Sequence, residues 1–243
     1  MNPDIEKIAG YLKNAEKVTI LTGAGISAES GVPTFRGKEG LWKKYRPQDL
    51  ATPQAFEIQP EVAWQWYGYR QELINKCQPN KAHYILWEFQ NFFDRFSLIT
   101  QNVDGLHEKA GSKEVIELHG NIFKARCMAC NRIISYEYPG GSLPRCHDCG
   151  NLLRPAVVWF GESLNQKVLE QAFKKAMDCD VFLTIGTSAL VQPAASLPLI
   201  AARGGAKTVE INPDSTPLSL VLDVSVRGNA AKVLDEVWKE LKY

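Results

Sequence analysis

Lys17-Val18-Thr19-Ile20-Leu21-Thr22-Gly23-Ala24-Gly25-Ile26-Ser27-Ala28 is a short apolar run that breaks abruptly into glycine. A run of this length followed by two glycines reads as a buried strand entering a tight turn. The turn has the spacing Gly-x-Gly-x-x-Ala. In nucleotide-binding turns the first glycine permits the bend and the second lets the backbone approach a pyrophosphate. Glycines after strands are common in α/β chains, so the spacing alone is a weak signal. No second strand ending in an acid follows about twenty residues later. The loop Glu29-Ser30-Gly31-Val32-Pro33-Thr34-Phe35-Arg36-Gly37 stands there instead. An ordinary hydride-transfer dehydrogenase is therefore disfavoured.

Outward from this stretch, strands and helices alternate. Residues 4–15 have helical spacing, with Ile5, Ile8, Ala9 and Leu12 on one face. Residues 61–76 read as a helix with Val62, Trp66, Tyr69 and Leu73 on one stripe, and 82–92 as another. Strands are predicted over 96–100, 115–118, 181–185 and 207–211. Helices are predicted over 169–177, 194–202 and 230–242. This alternation predicts βαβ units and a mostly parallel sheet. Two further strand ends carry polar residues: Ile185 runs into Gly186-Thr187-Ser188, and Ile211 into Asn212-Pro213-Asp214. Such loops could hold ribose and phosphate groups or simply cap the sheet.

Residues 124–154 differ in composition and read as an inserted module. Cys127-x-x-Cys130 and Cys146-x-x-Cys149 form two knuckles that together offer four thiolates. Two disulfides or four unrelated thiols are the alternatives, but in a cytosolic chain the spacing favours one tetrahedral zinc. Four cysteine ligands leave no open position, which makes the metal structural. His147 reads as a solvated residue, and Cys77 and Cys179 as ordinary buried thiols. Arg132, Glu137 and Arg145 between the knuckles do not make a basic face.

Lys and Arg number 28 against 27 Asp and Glu in 243 residues, a net charge of +1 with no dense basic run. This disfavours nucleic acid and anionic membrane as partners. The acidic N-terminal segment resembles neither a secretory signal nor a transit peptide, and no stretch is apolar enough to span a bilayer. With six cysteines and metal-type spacing, a cytoplasmic protein is expected.

Several segments resemble one family, the sirtuins, in that family's order. Gly23-Ala24-Gly25-Ile26-Ser27 with Pro33-Thr34-Phe35-Arg36 resembles the cofactor loop. Thr100-Gln101-Asn102-Val103-Asp104-Gly105-Leu106-His107 resembles the nicotinamide pocket, and His119-Gly120 the catalytic position. The knuckles, Val158-Trp159-Phe160-Gly161-Glu162, Gly186-Thr187-Ser188 and Asn212 follow.

The resemblance implies an α/β fold: a Rossmann-type parallel-sheet domain (1–37, 84–123 and 155–243), a helical part of a small domain (38–83) and a zinc-binding module (124–154). It implies an NAD-dependent protein-lysine deacylase giving nicotinamide, 2′-O-acyl-ADP-ribose and free lysine. Gly23, Ala24, Gly25, Ser27, Glu29, Thr34, Phe35, Arg36 and Trp42 would serve the cofactor. So would Gln101, Asn102, Val103 and Asp104 on the nicotinamide side. Gly186, Thr187, Ser188, Asn212, Pro213, Asp214 and Ala230 would serve the adenosine half. Asn102 and His119 would be catalytic, because imidazole titrates near neutral pH and suits a general base. Val158, Trp159, Phe160 and Gly161 would receive the acylated peptide as an added strand.

Tyr67 and Arg70 stand at i and i+3 on the predicted 61–76 helix. The pair resembles the signature of sirtuins that remove succinyl, malonyl or glutaryl groups. An arginine grips a carboxylate through two parallel hydrogen bonds, and a tyrosine adds a third donor. On spacing alone, a solvated arginine beside a packing tyrosine is the blander alternative. A mono-ADP-ribosyltransferase on the same scaffold is the second functional reading, and a non-catalytic NAD-sensing protein the third.

Overall fold

The computed structural model describes residues 2–34 and 46–242. In chain order its strands are β1 (Lys17–Thr22), β2 (Arg95–Thr100), β3 (Ile116–Glu117), β4 (Gly120–Cys127), β5 (Ile133–Ser135), β6 (Leu153–Val157), β7 (Val181–Ile185), β8 (Lys207–Asn212) and β9 (Val224–Arg227). The helices are α1 (Pro3–Lys13), α2 (Pro47–Leu50), α3 (Pro53–Ile58), α4 (Pro60–Asn75), α5 (Lys81–Phe92), α6 (Leu106–Lys109), α7 (Gln166–Met177), α8 (Leu197–Arg203) and α9 (Ala230–Lys242).

The predicted strand β1 lies at the centre of a six-stranded sheet with the order β3-β2-β1-β7-β8-β9. Its five pairings are all parallel. A strand covered on both faces needs apolar residues at successive positions, and β1 supplies them. Ile20 points into a core shared with α1, α5 and α9, while Leu21 points into a second core shared with α7 and α8. Helix starts are fixed by short polar side chains. Asn2 Oδ1 accepts from Asp4 N at 3.0 Å, Asn80 Oδ1 from Ala82 N at 2.9 Å and Asn165 Oδ1 from Lys167 N at 3.0 Å.

A second sheet, β5-β4-β6, is antiparallel and carries the cysteine knuckles. It packs with α2, α3 and α4 around a separate apolar cluster centred on Trp64, Phe56 and Trp159.

Helix α4 corrects one expectation. Trp66 is buried and Leu73 half-buried, but Val62 and Tyr69 are 41% and 55% exposed. The buried positions are Ala63, Trp64, Trp66, Tyr67, Gly68, Arg70, Gln71 and Ile74. A single stripe fails because the helix packs against the small sheet through polar groups as well as apolar ones. Trp64 Nε1 donates to Leu153 O at 3.0 Å. Gln71 Nε2 donates to Ile122 O at 2.6 Å and to Tyr136 O at 3.0 Å, and its Oε1 accepts from Tyr138 N at 2.8 Å. Gln71 thus satisfies one backbone group of β4 and two in the segment that follows β5. Strand β9 and helices α2, α3 and α6 carry too little periodicity to have been anticipated. Among the described residues no helix is long and apolar enough to cross a membrane.

Candidate functional site at the carboxyl ends of the parallel strands

From β1 the chain builds outward through β2 and β3, then returns to the other side of β1 as β7. The loops leaving β1 and β7 therefore part from each other and open a crevice at the carboxyl end of the sheet. The two walls still meet at the glycines. Gly23 N donates to Ile185 O at 3.0 Å, and Gly25 N to Gly186 O at 2.8 Å. A Cβ on Gly25 would lie 2.7 Å from Gly186 Cα. The second glycine is thus required first by the approach of two protein loops.

The crevice is part of a cavity of about 780 Å³, within the range of small-molecule sites. Gly23, Ala24, Gly25 and Thr34 line it from the first loop. Gln101, Asn102 and Val103 follow β2, and Gly186, Thr187 and Ser188 follow β7. Asn212, Pro213 and Asp214 line it after β8. Hydrogen bonds tie these loops together: Gln101 Nε2 donates to Thr187 Oγ1 at 2.9 Å, and Asn212 Nδ2 to Thr187 O at 2.6 Å.

Behind the wall, Ser27 Oγ donates to Asp104 Oδ2 at 2.8 Å and accepts from Asn102 Nδ2 at 3.1 Å. Asp104 Oδ1 also accepts from Leu106 N at 3.0 Å. Burial pushes the Asp104 carboxyl up, while these hydrogen bonds and the positive field of Arg70 oppose the shift. The network fixes the side-chain amide of Asn102 beside the cavity.

His119, in the turn just before β4, also lines the cavity, and its Nδ1 lies 2.9 Å from Gln101 O. A carbonyl only accepts, so Nδ1 carries the proton and Nε2 is the basic nitrogen. Burial lowers the His119 pKa, with the Gln101 hydrogen bond opposing. The ring is neutral at pH 7, the form a general base requires.

The opposite wall comes from α4 and from the segment that follows β6. Tyr67 and Arg70 of α4 are both buried and both line the cavity, as do Val158, Trp159, Phe160 and Gly161. The solvated-arginine alternative is excluded, since Arg70 is 8% exposed. Its guanidinium lies 4.8 Å from the Trp66 ring and 5.7 Å from that of Tyr67. Burial lowers the Arg70 pKa and raises that of Tyr67.

Besides Ser27 and Asp104 behind the wall, two more candidate cofactor residues lie away from the cavity. Glu29 accepts from Ala231 N at 3.1 Å at the start of α9, and Ala230 is buried in the core on that side. Phe35, Arg36 and Trp42 lie outside the described residues. Arg154, Glu210 and Thr216 stand outside the motifs read from the sequence, and Glu162 stands in one without a role of its own. Of these, Glu210 had a readable signal: a lone carboxylate inside the apolar strand β8 is either buried and paired or misplaced.

The Sγ atoms of Cys127, Cys130, Cys146 and Cys149 all lie within 4.8 Å of one another. Cys127 and Cys149 are 3.4 Å apart, and Cys130 and Cys146 3.8 Å. A disulfide needs about 2.05 Å between sulfurs. Zn–S bonds of about 2.3 Å put tetrahedral sulfurs roughly 3.8 Å apart. The four thiolates therefore fit one zinc ion. His147 is exposed and outside the set, and Cys77 and Cys179 are buried thiols.

A parallel sheet with this strand order, a crevice at its switch point and a four-cysteine ribbon beside it define a dinucleotide-binding protein with a structural metal module. Residues 23–193 match the family model described as the Sir2 family. A protein of Aquifex aeolicus named NAD-dependent protein deacylase is 50% identical over 233 residues, 95% of this chain and 97% of the relative. A solved Sir2 homologue in complex with NAD superposes with a TM-score of 0.92 at 50% identity, covering 98% of this chain and 93% of that one. A Sir2 structure with a p53 peptide and NAD+ superposes with a TM-score of 0.86 at 33% identity, covering 97% and 98%. The chain belongs to the Sir2 family.

Proposed function

We propose that this chain is an NAD-dependent protein-lysine deacylase with a preference for acyl groups that end in a carboxylate. The observation that carries the reading is the meeting of two walls at one histidine. The loops after β1, β2, β7 and β8 line one side of the cavity, Tyr67 and Arg70 line the other, and His119 lines it too. NAD, when bound, would supply an electrophilic sugar carbon with nicotinamide as its leaving group, and a sugar hydroxyl as the final acceptor of the acyl group.

The chain's own residues do the rest. Asn102, held by Ser27, presents its amide at the deep end of the crevice, and Asp104 steadies that serine. His119 takes a proton at Nε2, while Nδ1 stays fixed on Gln101 O. Arg70 offers two donors and Tyr67 one to a terminal carboxylate. A carboxylate entering a buried recess is costly unless it is paired in this way. The N–H groups of Val158, Trp159 and Phe160 donate to His119 O, Glu162 Oε2 and Ala51 O. In this reading the segment Val158–Gly161 receives the acylated peptide as an added strand. In the same reading the chain divides at the boundaries given above, zinc serves stability, and the six free thiols suit a cytoplasmic location. The proposal favours deacylation over ADP-ribosyl transfer to a protein side chain, because His119 is neutral and positioned as a base.

The test is mass spectrometry of succinyl-lysine and acetyl-lysine versions of one peptide, with and without NAD. Free lysine should appear only with NAD, and faster from the succinyl peptide. ADP-ribosylated protein without free lysine would overturn the deacylase reading.

A further inference from the structure

We infer that Trp159 is a positioning residue for acyl selection: its indole N–H fixes the Tyr67 hydroxyl as a donor into the cavity. The inference rests on the carboxylate-selective reading above and specifies how that selectivity is set.

Trp159 Nε1 donates to Tyr67 Oη at 2.9 Å, and both residues are almost fully buried at the cavity wall. An indole nitrogen is only a donor, whereas a phenol has one proton to give and lone pairs to accept with. Once Trp159 occupies a lone pair, the Tyr67 proton must point away from the indole. The open space that Tyr67 lines is the cavity. Tyr67 is then a fixed donor toward whatever lies beside Arg70, and suits a carboxylate oxygen. An acetyl methyl gains nothing from it.

The indole is clamped on every side. Its own backbone N–H donates to Glu162 Oε2 at 2.8 Å. The Arg154 guanidinium lies 3.4 Å from the centre of its ring, and the Phe56 ring is 5.1 Å away on a tilt of 39°. Arg154 is itself held by two bonds to Glu162, 2.5 Å to Oε1 and 2.9 Å to Oε2, and by 3.0 Å to Val157 O. Turning the indole would strip an arginine–carboxylate pair that is largely withdrawn from solvent, and breaking such a pair is strongly unfavourable. The Tyr67 hydroxyl thus inherits its direction from the ion pair of Arg154 on β6 with Glu162.

The experiment measures kcat/KM on succinyl-lysine and acetyl-lysine versions of one peptide and reads only their ratio. Any loss of active enzyme cancels in that ratio, because both peptides meet the same preparation. The variants are Trp159→Phe, Tyr67→Phe, the double variant and Arg70→Met. Trp159→Phe should lower the succinyl-to-acetyl ratio by roughly tenfold, the scale of one hydrogen bond. In the Tyr67→Phe background it should lower the ratio no further, because the hydroxyl it orients is gone. If Trp159→Phe does not fold, a benzothiophene analogue of tryptophan at 159, which removes only the N–H, takes its place. An unchanged ratio, or an equal fall with and without the Tyr67 hydroxyl, overturns the role of Trp159. Arg70→Met separates this from the parent reading. A ratio unmoved by Arg70→Met overturns carboxylate selection itself, whereas one that falls there but not at Trp159 overturns only the positioning.

Discussion

The Gln101 carbonyl accepts from Nδ1 of His119 at 2.9 Å and thereby fixes which imidazole nitrogen is basic. His119→Tyr should lower kcat/KM for deacylation by ~10²–10⁴-fold, the usual contribution of a general base. NAD binding, read by calorimetry, should persist. Because burial lowers the His119 pKa, the acid limb of the kcat/KM profile should fall below the ordinary imidazole value near 6.5. Turnover at the parental rate in His119→Tyr would show that another group is the base.

Among the described residues that line the cavity Arg70 is the one cationic side chain, and in the proposed reading it meets the terminal carboxylate. Leaving a buried charge without its partner costs about 2–5 kcal/mol. Arg70→Met should therefore raise KM for the succinyl peptide more than tenfold relative to the acetyl peptide. Steady-state kinetics on the two peptides decide the point.

The four sulfurs within 4.8 Å of one another tie zinc to folding of the β4–β6 sheet. Purified protein should carry one zinc per chain by elemental analysis. Cys127→Ser or Cys146→Ser should release it and lower Tm sharply, since structural zinc contributes on the order of 10 kcal/mol to small ribbons. Active protein without zinc would be incompatible with this assignment.

His83 is fully buried, its Nδ1 accepts from Asn80 N at 3.2 Å, and burial pushes its pKa down to about 4. Protonation would set two donors against each other. In the unfolded chain the ring titrates near 6.5. Between about pH 6.5 and 4 the unfolded state therefore binds more protons, so stability is full above 6.5 and is lost as pH falls toward 4. The loss is about 3 kcal/mol over that window. His107, whose ring centre is 5.0 Å away, is lowered in the same direction by burial. Urea unfolding from pH 7 to 4.5 should show this slope, and His83→Gln should flatten it. An unchanged slope in the variant would contradict the assignment.

Glu210 is 1% exposed and accepts from Ser219 at 2.6 Å, Ser225 at 2.5 Å, Arg227 at 3.2 Å and Thr216. Thr216 lines the cavity beside Asp214, and Ser219 pins the same loop from behind. Ser219→Ala should raise KM for NAD several-fold, whereas Ser225→Ala, on β9 and outside the loop, should not. Equal effects would mean that the carboxylate supports the sheet and not the loop.

Much of this architecture was legible in the chain. Near-continuous apolar residues over β1 and β7 specify strands buried on both faces, and the glycines after them mark turns that line the cavity. The cysteine spacing anticipates a four-sulfur cluster, because a knuckle is local geometry that a short segment dictates alone. Local pattern failed on α4, where burial is set by contacts to residues 51 to 89 positions away in sequence. Nothing in the 61–76 stretch says that Gln71 will satisfy Ile122 and Tyr136, or that Val62 and Tyr69 will face outward.

The sequence alone determined which residue types are present for nucleotide, metal and acyl recognition. Only the tertiary structure decided which nitrogen of His119 is basic, that Glu29 caps a helix instead of lining the cavity, and that Trp159 meets Tyr67 across 92 positions. The physical reason is that a hydrogen bond depends on direction at about 3 Å, a quantity fixed by packing between elements and carried by no local pattern of residues.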